Sequence, residues 1–165
     1  IVIDNGTVTT LAGSSQGYTD ATGTSARFYR PRGITTDGTN LYVADLFNNR
    51  IRKIVIDNGT VTTIAGQSDN GSADGIGTAA SFWYPSQITT DGTNLYVVDG
   101  FNHSIRKIVI STGVVTTIAG TPGSPGNADN ATGTSASFRA PRAITTDGRN
   151  LYVADGTNHR IRKIE

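Results

Sequence analysis

The 165-residue chain has no cysteine, no methionine, one glutamate (Glu165), three lysines and five leucines. Without cysteine, disulfides, thiolate nucleophiles, zinc ribbons and iron–sulfur clusters are excluded together. The scarcity of Leu, Glu, Lys and Met removes the strong helix formers, so a helical bundle is excluded as well. No apolar run approaches the ~20 residues that a membrane-spanning helix requires. Charged residues are 16%, below the roughly 25% of an average soluble domain, which rules out a charged disordered tail. The 14 Lys+Arg against 13 Asp+Glu leave a net charge of +1, and that balance gives no whole-molecule pull toward nucleic acid or anionic lipid. No signal peptide precedes Ile1, and the absent initiator Met points to a processed product, an excised fragment or an engineered chain.

What is abundant is Thr, 25 residues, and Gly, 20 residues, beside Val, Ile and Tyr. These residues favour pleated strands and tight turns, and predict a soluble all-β protein. Residues 1–165 read as a single domain of three internal repeats, 1–53, 54–107 and 108–163. Within them the blocks 1–13, 54–66 and 108–120 have one spacing, as do 31–54, 85–108 and 141–164. All length variation falls in 13–31, 66–85 and 120–141, as expected of a surface loop between fixed blocks.

Each copy predicts four short strands, in the first at residues 8–12, 33–36, 41–44 and 50–56. Asp37-Gly38, Asp91-Gly92 and Asp147-Gly148 are hairpin signals, and Asn58-Gly59 supplies the positive φ of a tight turn. Ile34, Leu41, Val43, Ile51, Ile54 and Ile56 do not share one face under strict alternation. Each small sheet therefore needs a neighbour on both sides, which radial stacking in a β-propeller supplies. A β-sandwich is the alternative, but it calls for less regular copies; a parallel β-helix uses much shorter coils.

The tracts Pro141-Arg142-Ala143-Ile144-Thr145-Thr146-Asp147-Gly148, Leu151-Tyr152-Val153-Ala154-Asp155 and Asn158-His159-Arg160-Ile161 resemble the NHL repeat. The second copy matches through Leu95-Tyr96-Val97-Val98-Asp99 and Asn102-His103, with Ser104 where Arg is usual. The first matches through Asp45 and Asn48, with Asn49 in place of His. The resemblance covers the whole chain and is nearest the bacterial extracellular, tandem form of the repeat. It implies an all-β propeller of four-stranded antiparallel blades, three per chain, where six usually close a ring. The chain opens with a strand that finishes a blade, residues 8–12, and closes with the strand before it, residues 160–164. A second copy of the chain is therefore the expected partner: strand exchange would close a six-bladed homodimer. A nine-bladed trimer is the other closed solution and an open filament the failure mode.

His103 and His159 occupy one repeat position, which a ring spreads apart instead of converging on a metal, so they are expected to be turn residues hydrogen-bonding their own backbone. Asp45, Asp99 and Asp155 resemble the family's structural aspartates, while Asp37, Asp91 and Asp147 belong to turns. The Asp/Asn/Gly-rich stretches 69–75 and 127–130 suit calcium's oxygen preference but lack a downstream bidentate Glu. Phe28, Phe82 and Phe138, each three residues before a Pro, are expected to anchor the long loop. Arg52-Lys53, Arg106-Lys107 and Arg162-Lys163 are expected to be solvated charges near the rim.

The loop arginines Arg27, Arg30, Arg32, Arg50, Arg139, Arg142 and Arg160 are matched by seven aspartates on the same loops. RNA binding through a basic face, known for some members of the family, is accordingly disfavoured. The geometry of the family that the chain resembles implies a channel-mouth ligand site around Arg32, Gln87 and Arg142, near-equivalent positions just after the strand-opening proline. No catalytic residue, metal or cofactor is assigned, and no membrane partner is expected. Near-identical blades favour a non-enzymatic scaffold or interaction module, whose protein or small-molecule ligand is not specified. The alternative is a lyase- or lactonase-type propeller enzyme, which requires different residues from different blades at one channel site. The resemblance alone suggests an extracellular or periplasmic bacterial origin.

Overall fold

The computed structural model describes residues 6–165. It contains twelve strands and five short 3-10 turns, with no α-helix among the described residues. The first sheet runs β1 (Pro31–Thr36), β2 (Asn40–Asp45), β3 (Arg50–Val55), β4 (Val61–Gly66) in spatial order. In the second, β6 (Pro85–Thr90), β7 (Asn94–Asp99), β8 (Ser104–Val109) and β9 (Val114–Ala119) are joined outside β9 by the two-residue β5 (Gly75–Ile76). The third holds only β10 (Ala143–Thr146), β11 (Leu151–Asp155) and β12 (Arg160–Ile164). All pairings within these sheets are antiparallel. The first strands β1, β6 and β10 pack side by side, so the sheets stand as three successive blades of a propeller around an axis lined by those strands.

The outermost strand of a blade comes from the next repeat, because the Asn58-Gly59 turn returns the chain onto the strand it has just left. Gly59 N–H donates to Val55 O at 2.8 Å with φ +69° at Gly59. That turn ends β3 at Val55, one residue before the expected end at Ile56. β4 then runs beside β3 with a bulge between Ile51 and Arg52, and β9 repeats the bulge between Ile105 and Arg106.

Hydrophobic packing lies between blades, as two-faced apolar sheets require. Tyr42, Ala44, Ile51 and Ala65 of the first blade meet Phe82, Ile88, Leu95, Val97, Ile108 and Val115 of the second. Val98, Ile105 and Ala119 of the second meet Phe138, Ile144, Leu151 and Val153 of the third. The inner strands touch closely enough that a Cβ on Gly33 would run into the backbone of Gln87; glycine is the residue that permits this approach.

Residues 8–12 are the exception to the expected strands. They join no ladder, and Val8 is 93% exposed. Their repeat equivalents form β4 and β9 because β3 and β8 offer a free edge beside them. The matching edge for residues 8–12 is β12, which lies at the far end of the three-blade arc.

The Asp-Gly hairpins are built alike in all blades. Asp91 accepts from the N–H groups of Thr93 (2.8 Å) and Asn94 (2.6 Å), from Asn94 Nδ2 (3.0 Å) and from Tyr96 Oη (2.8 Å). Partial burial acts to raise the Asp91 pKa, but these donors together outweigh it and bring it down to about 2. Burial and the adjacent carboxylate push Tyr96 up to about 12. A carboxylate whose folded pKa lies below its unfolded value stabilises the fold above the unfolded value, about pH 4, and loses that contribution as pH falls toward about 2. Asp91→Asn is therefore expected to lower the melting temperature at neutral pH and to flatten its decline over this acid window, as followed by circular dichroism.

Candidate functional site

The Asp, Asn and Arg positions that carry the repeat signature turn inward. Arg52 and Arg106 are fully buried and Arg162 nearly so, which corrects the expectation of solvated rim charges. Arg106 Nη1 donates to Asp99 Oδ2 (2.9 Å) and Ser81 O (2.9 Å), and Nη2 to Asp74 Oδ1 (2.8 Å) and Ala73 O (2.8 Å). Its guanidinium lies 5.0 Å from the centroid of Phe82. Asp99 also accepts from Trp83 N–H (2.8 Å) and Asn102 Nδ2 (2.8 Å), while Asn102 Nδ2 donates to Gly71 O (2.6 Å). Burial, against these donors, pushes Asp99 up to about 6. The same clamp joins Arg52 to Asp45 and Asp20, and Arg162 to Asp155 and Asp129. Each clamp ties the long variable loop to the turn after the second strand of its blade. Phe28, Phe82 and Phe138 sit under the three guanidiniums, as expected of loop anchors. Asp74, from an Asp/Asn/Gly-rich stretch, is committed to this clamp and to Thr117 N–H (3.1 Å). Among the described residues no cluster of three or more His, Cys, Asp or Glu could hold a metal ion.

The histidine position links blades. His103 takes the left-handed conformation, φ +56°, and its Nδ1 accepts from Ala140 N–H of the next blade at 3.1 Å. Asn49 does the same one blade earlier, Oδ1 accepting from Tyr84 N–H at 3.0 Å. The sequence places these residues in turns correctly, but their side chains bond the following blade's backbone and not their own. Burial, the nearby Arg139 charge adding to it, lowers the His103 pKa.

Two surfaces at the ends of the arc are left uncovered. On the third blade, β12 is an edge without a partner strand among the described residues, beside a groove of about 610 Å³ lined by Ile118, Ala136, Phe138, Leu151, Arg162 and Ile164, among others. Ile161 is 76% exposed, whereas its equivalents Ile51 and Ile105 are fully buried between blades. On the first blade, Ile34 is 58% exposed, against 3% for Ile88 and 7% for Ile144.

A further cavity, about 450 Å³, opens where the innermost strands begin. The first blade supplies Arg32, Leu46 and Phe47, the second Tyr84, Ser86, Gly100 and Phe101, and the third Ala140, Pro141 and Arg142. Of the expected mouth residues, Arg32 and Arg142 line this cavity together. Gln87 does not: its Oε1 accepts from Ile88 N–H at 3.1 Å and it packs against Gly33. The residue of the second blade at the Arg32 and Arg142 position is Ser86, directly after Pro85, and it lies in the lining. A row of rings runs along this side: Tyr29 to Phe47 at 5.0 Å, Phe47 to Tyr84 at 5.0 Å, Tyr84 to Phe101 at 4.7 Å and Phe101 to Trp83 at 5.5 Å. Trp83, Tyr84 and Ser86 are the residues that the second copy carries in place of loop arginines, but their meeting with Phe47 and Phe101 on one side is not legible in any motif. The available signal was the set of aligned positions at which the copies differ.

No protein-family model matches the chain. NHL repeat-containing protein 2 of Homo sapiens is 30% identical over 169 residues, which cover 93% of this chain and 23% of that protein. The chain is of the NHL-repeat β-propeller type. Among solved structures, a Bacteroides thetaiotaomicron protein of unknown function is 32% identical with a TM-score of 0.69, over 75% of this chain and 32% of the other. An auxiliary nutrient binding protein from Bacteroides ovatus is 25% identical with a TM-score of 0.72, over 87% of this chain and 39% of the other. The NHL segment thus spans about a quarter of the length of its curated relatives. In it, the Asp-x-x-Asn tract of each blade is a structural clamp, and no helix among the described residues is long and apolar enough to cross a membrane.

Proposed function

We propose that this NHL segment is a non-enzymatic interaction module that pairs with a second copy of itself into a six-bladed ring. The observation that carries the reading is one of matched ends. Residues 8–13 (Val-Thr-Thr-Leu-Ala-Gly) repeat β4 (Val-Thr-Thr-Ile-Ala-Gly) almost letter for letter, and they are unladdered in a chain whose β12 edge is open. The register of β3 with β4 sets theirs on the partner's β12: Ile164 opposite Val8, Lys163 opposite Thr9, Arg162 opposite Thr10 and Ile161 opposite Ala12.

Side chains support the same register. Asp20 Oδ2 accepts from Thr63 N–H (2.8 Å) and Asp74 Oδ2 from Thr117 N–H (3.1 Å). Asp129, their counterpart in the third clamp, has its side chain 83% exposed beside the groove, placed to accept from Thr10 N–H of a second copy. His159, equivalent to His103, stands at the open end to meet Arg30 N–H. The apolar faces around Ile161 and Ile34 become one blade–blade interface, made twice in a closed pair.

The extracellular or periplasmic setting rests on the likeness to a Bacteroides auxiliary nutrient binding protein, and the absence of catalysis on the structural use of the repeated Asp and Asn positions and of His103. Light scattering on a size-exclusion column tests the assembly. A native mass twice the 17.3 kDa of the chain is expected. Three times that mass means a nine-bladed ring and overturns the pairing, as does a folded single chain.

A further inference from the structure

We infer that the cavity at the start of the innermost strands is a binding site for a small planar aryl carboxylate. The reading begins from where the three blades cease to be copies. The tracts Ile-Thr-Thr-Asp-Gly and Ile-Arg-Lys-Ile recur unchanged in all three. Apart from the shared proline (Pro31, Pro85, Pro141), the positions that line the cavity diverge: Arg32, Ser86 and Arg142; Arg30, Tyr84 and Ala140; Leu46, Gly100 and Gly156; Phe47, Phe101 and Thr157. A symmetric channel needs no such variation. A single ligand held by three neighbouring blades does, because each blade must then offer it a different group.

The chemistry of the lining selects the ligand. At the middle blade the small Ser86 replaces the arginine of its neighbours and leaves room between them. Its Oγ is buried and has no hydrogen-bond partner among the described residues, an arrangement found for few native buried hydroxyls. Arg32 and Arg142, from the blades on either side, form no ion pair among the described residues, and no carboxylate lines the cavity. Two uncompensated guanidiniums favour an anion, and their planar fork suits a carboxylate in particular. Tyr84 and Phe101 offer ring surface to a flat apolar body, while Phe47 behind them carries the Arg30 guanidinium over its ring at 5.0 Å. The volume, about 450 Å³, is that of a small-molecule pocket. The balance of charge on this face, seven arginines to seven aspartates by sequence, is altered by the fold. Six of those aspartates are held by the buried Arg52, Arg106 and Arg162. All cavity residues belong to one chain, so the site does not depend on ring closure.

Calorimetric titration of the full chain with naphthoate is the test, with naphthylmethanol and acetate as the neutral and the non-aromatic controls. Saturable binding of one naphthoate per chain is expected, with both controls weaker by about tenfold or more. Ser86→Arg installs the side chain that the other two blades carry, fills the space between them and is expected to abolish binding. Arg32→Gln and Arg142→Gln remove exposed side chains outside the core and are each expected to weaken binding about tenfold; they decide the matter if Ser86→Arg does not fold. No saturable naphthoate binding, equal binding of naphthylmethanol, or undiminished binding by the arginine variants overturns the assignment.

Discussion

Ile161→Asp is expected to leave the single chain folded while abolishing the two-chain particle. In one chain the Ile161 side chain is largely in water, and a polar substitution at such a site changes stability by about 0.5 kcal/mol or less. In the ring the same position becomes the equivalent of Ile51 and Ile105, which are sealed between blades. A carboxylate there has no cation partner by repeat geometry and carries the full cost of burying an unpaired charge. A closed pair contains two such interfaces, so the cost is incurred twice. Light scattering is expected to drop from twice the chain mass to one chain mass, with the melting transition retained. Ile105→Asp is the contrasting variant: it breaks the interface inside the chain and is expected to unfold it. A pair that survives Ile161→Asp would mean that the chains associate through some other surface.

Arg106→Met is expected to be the most damaging single substitution outside the apolar core. It removes the donors to Asp99, Asp74, Ser81 O and Ala73 O and leaves the Asp99 carboxylate buried without its cation. Breaking one half of a buried pair costs about 3–5 kcal/mol. The damage has a pH signature. Asp99 already titrates near 6 because it is buried, and without Arg106 its pKa rises further. An acid whose folded pKa exceeds its unfolded value binds a proton on folding between the two, so stability falls as pH rises through that window. Arg106→Met is accordingly expected to lie nearer the wild type at about pH 4 than at pH 7, as measured by urea unfolding at both. Arg162→Met, in the blade with the open edge, is expected to cost less in the single chain, because Asp129 there is already solvated.

Much of the fold was legible because repeats give the same reading three times. A single stretch such as residues 41–45 is ambiguous alone; three aligned copies bounded by Asp-Gly turns define strands, hairpins and a loop of variable length. The failures have physical reasons. Arg52 and Arg106 sit beside Lys53 and Lys107, and alternation says that one of each pair points inward without saying which. The answer depends on Asp20 and Asp74, about thirty residues earlier, brought over the strand by the long loop. Gln87 lies one position past Ser86, the residue of its blade that lines the cavity. The bulge between Pro85 and Gln87 puts Ser86 in the lining and turns Gln87 toward Gly33.

The sequence by itself determined the propeller blades, their turns and the anchoring phenylalanines, because periodic burial and turn chemistry are local properties repeated along the chain. Only the tertiary structure decided which carboxylates are consumed by buried arginines and which arginines remain unpaired. It alone also brought Arg32, Ser86 and Arg142 to one cavity with Phe47, Tyr84 and Phe101. The clamps depend on residues about thirty positions apart, the cavity on residues about fifty and about a hundred positions apart that meet near the axis, and no local pattern specifies such a meeting.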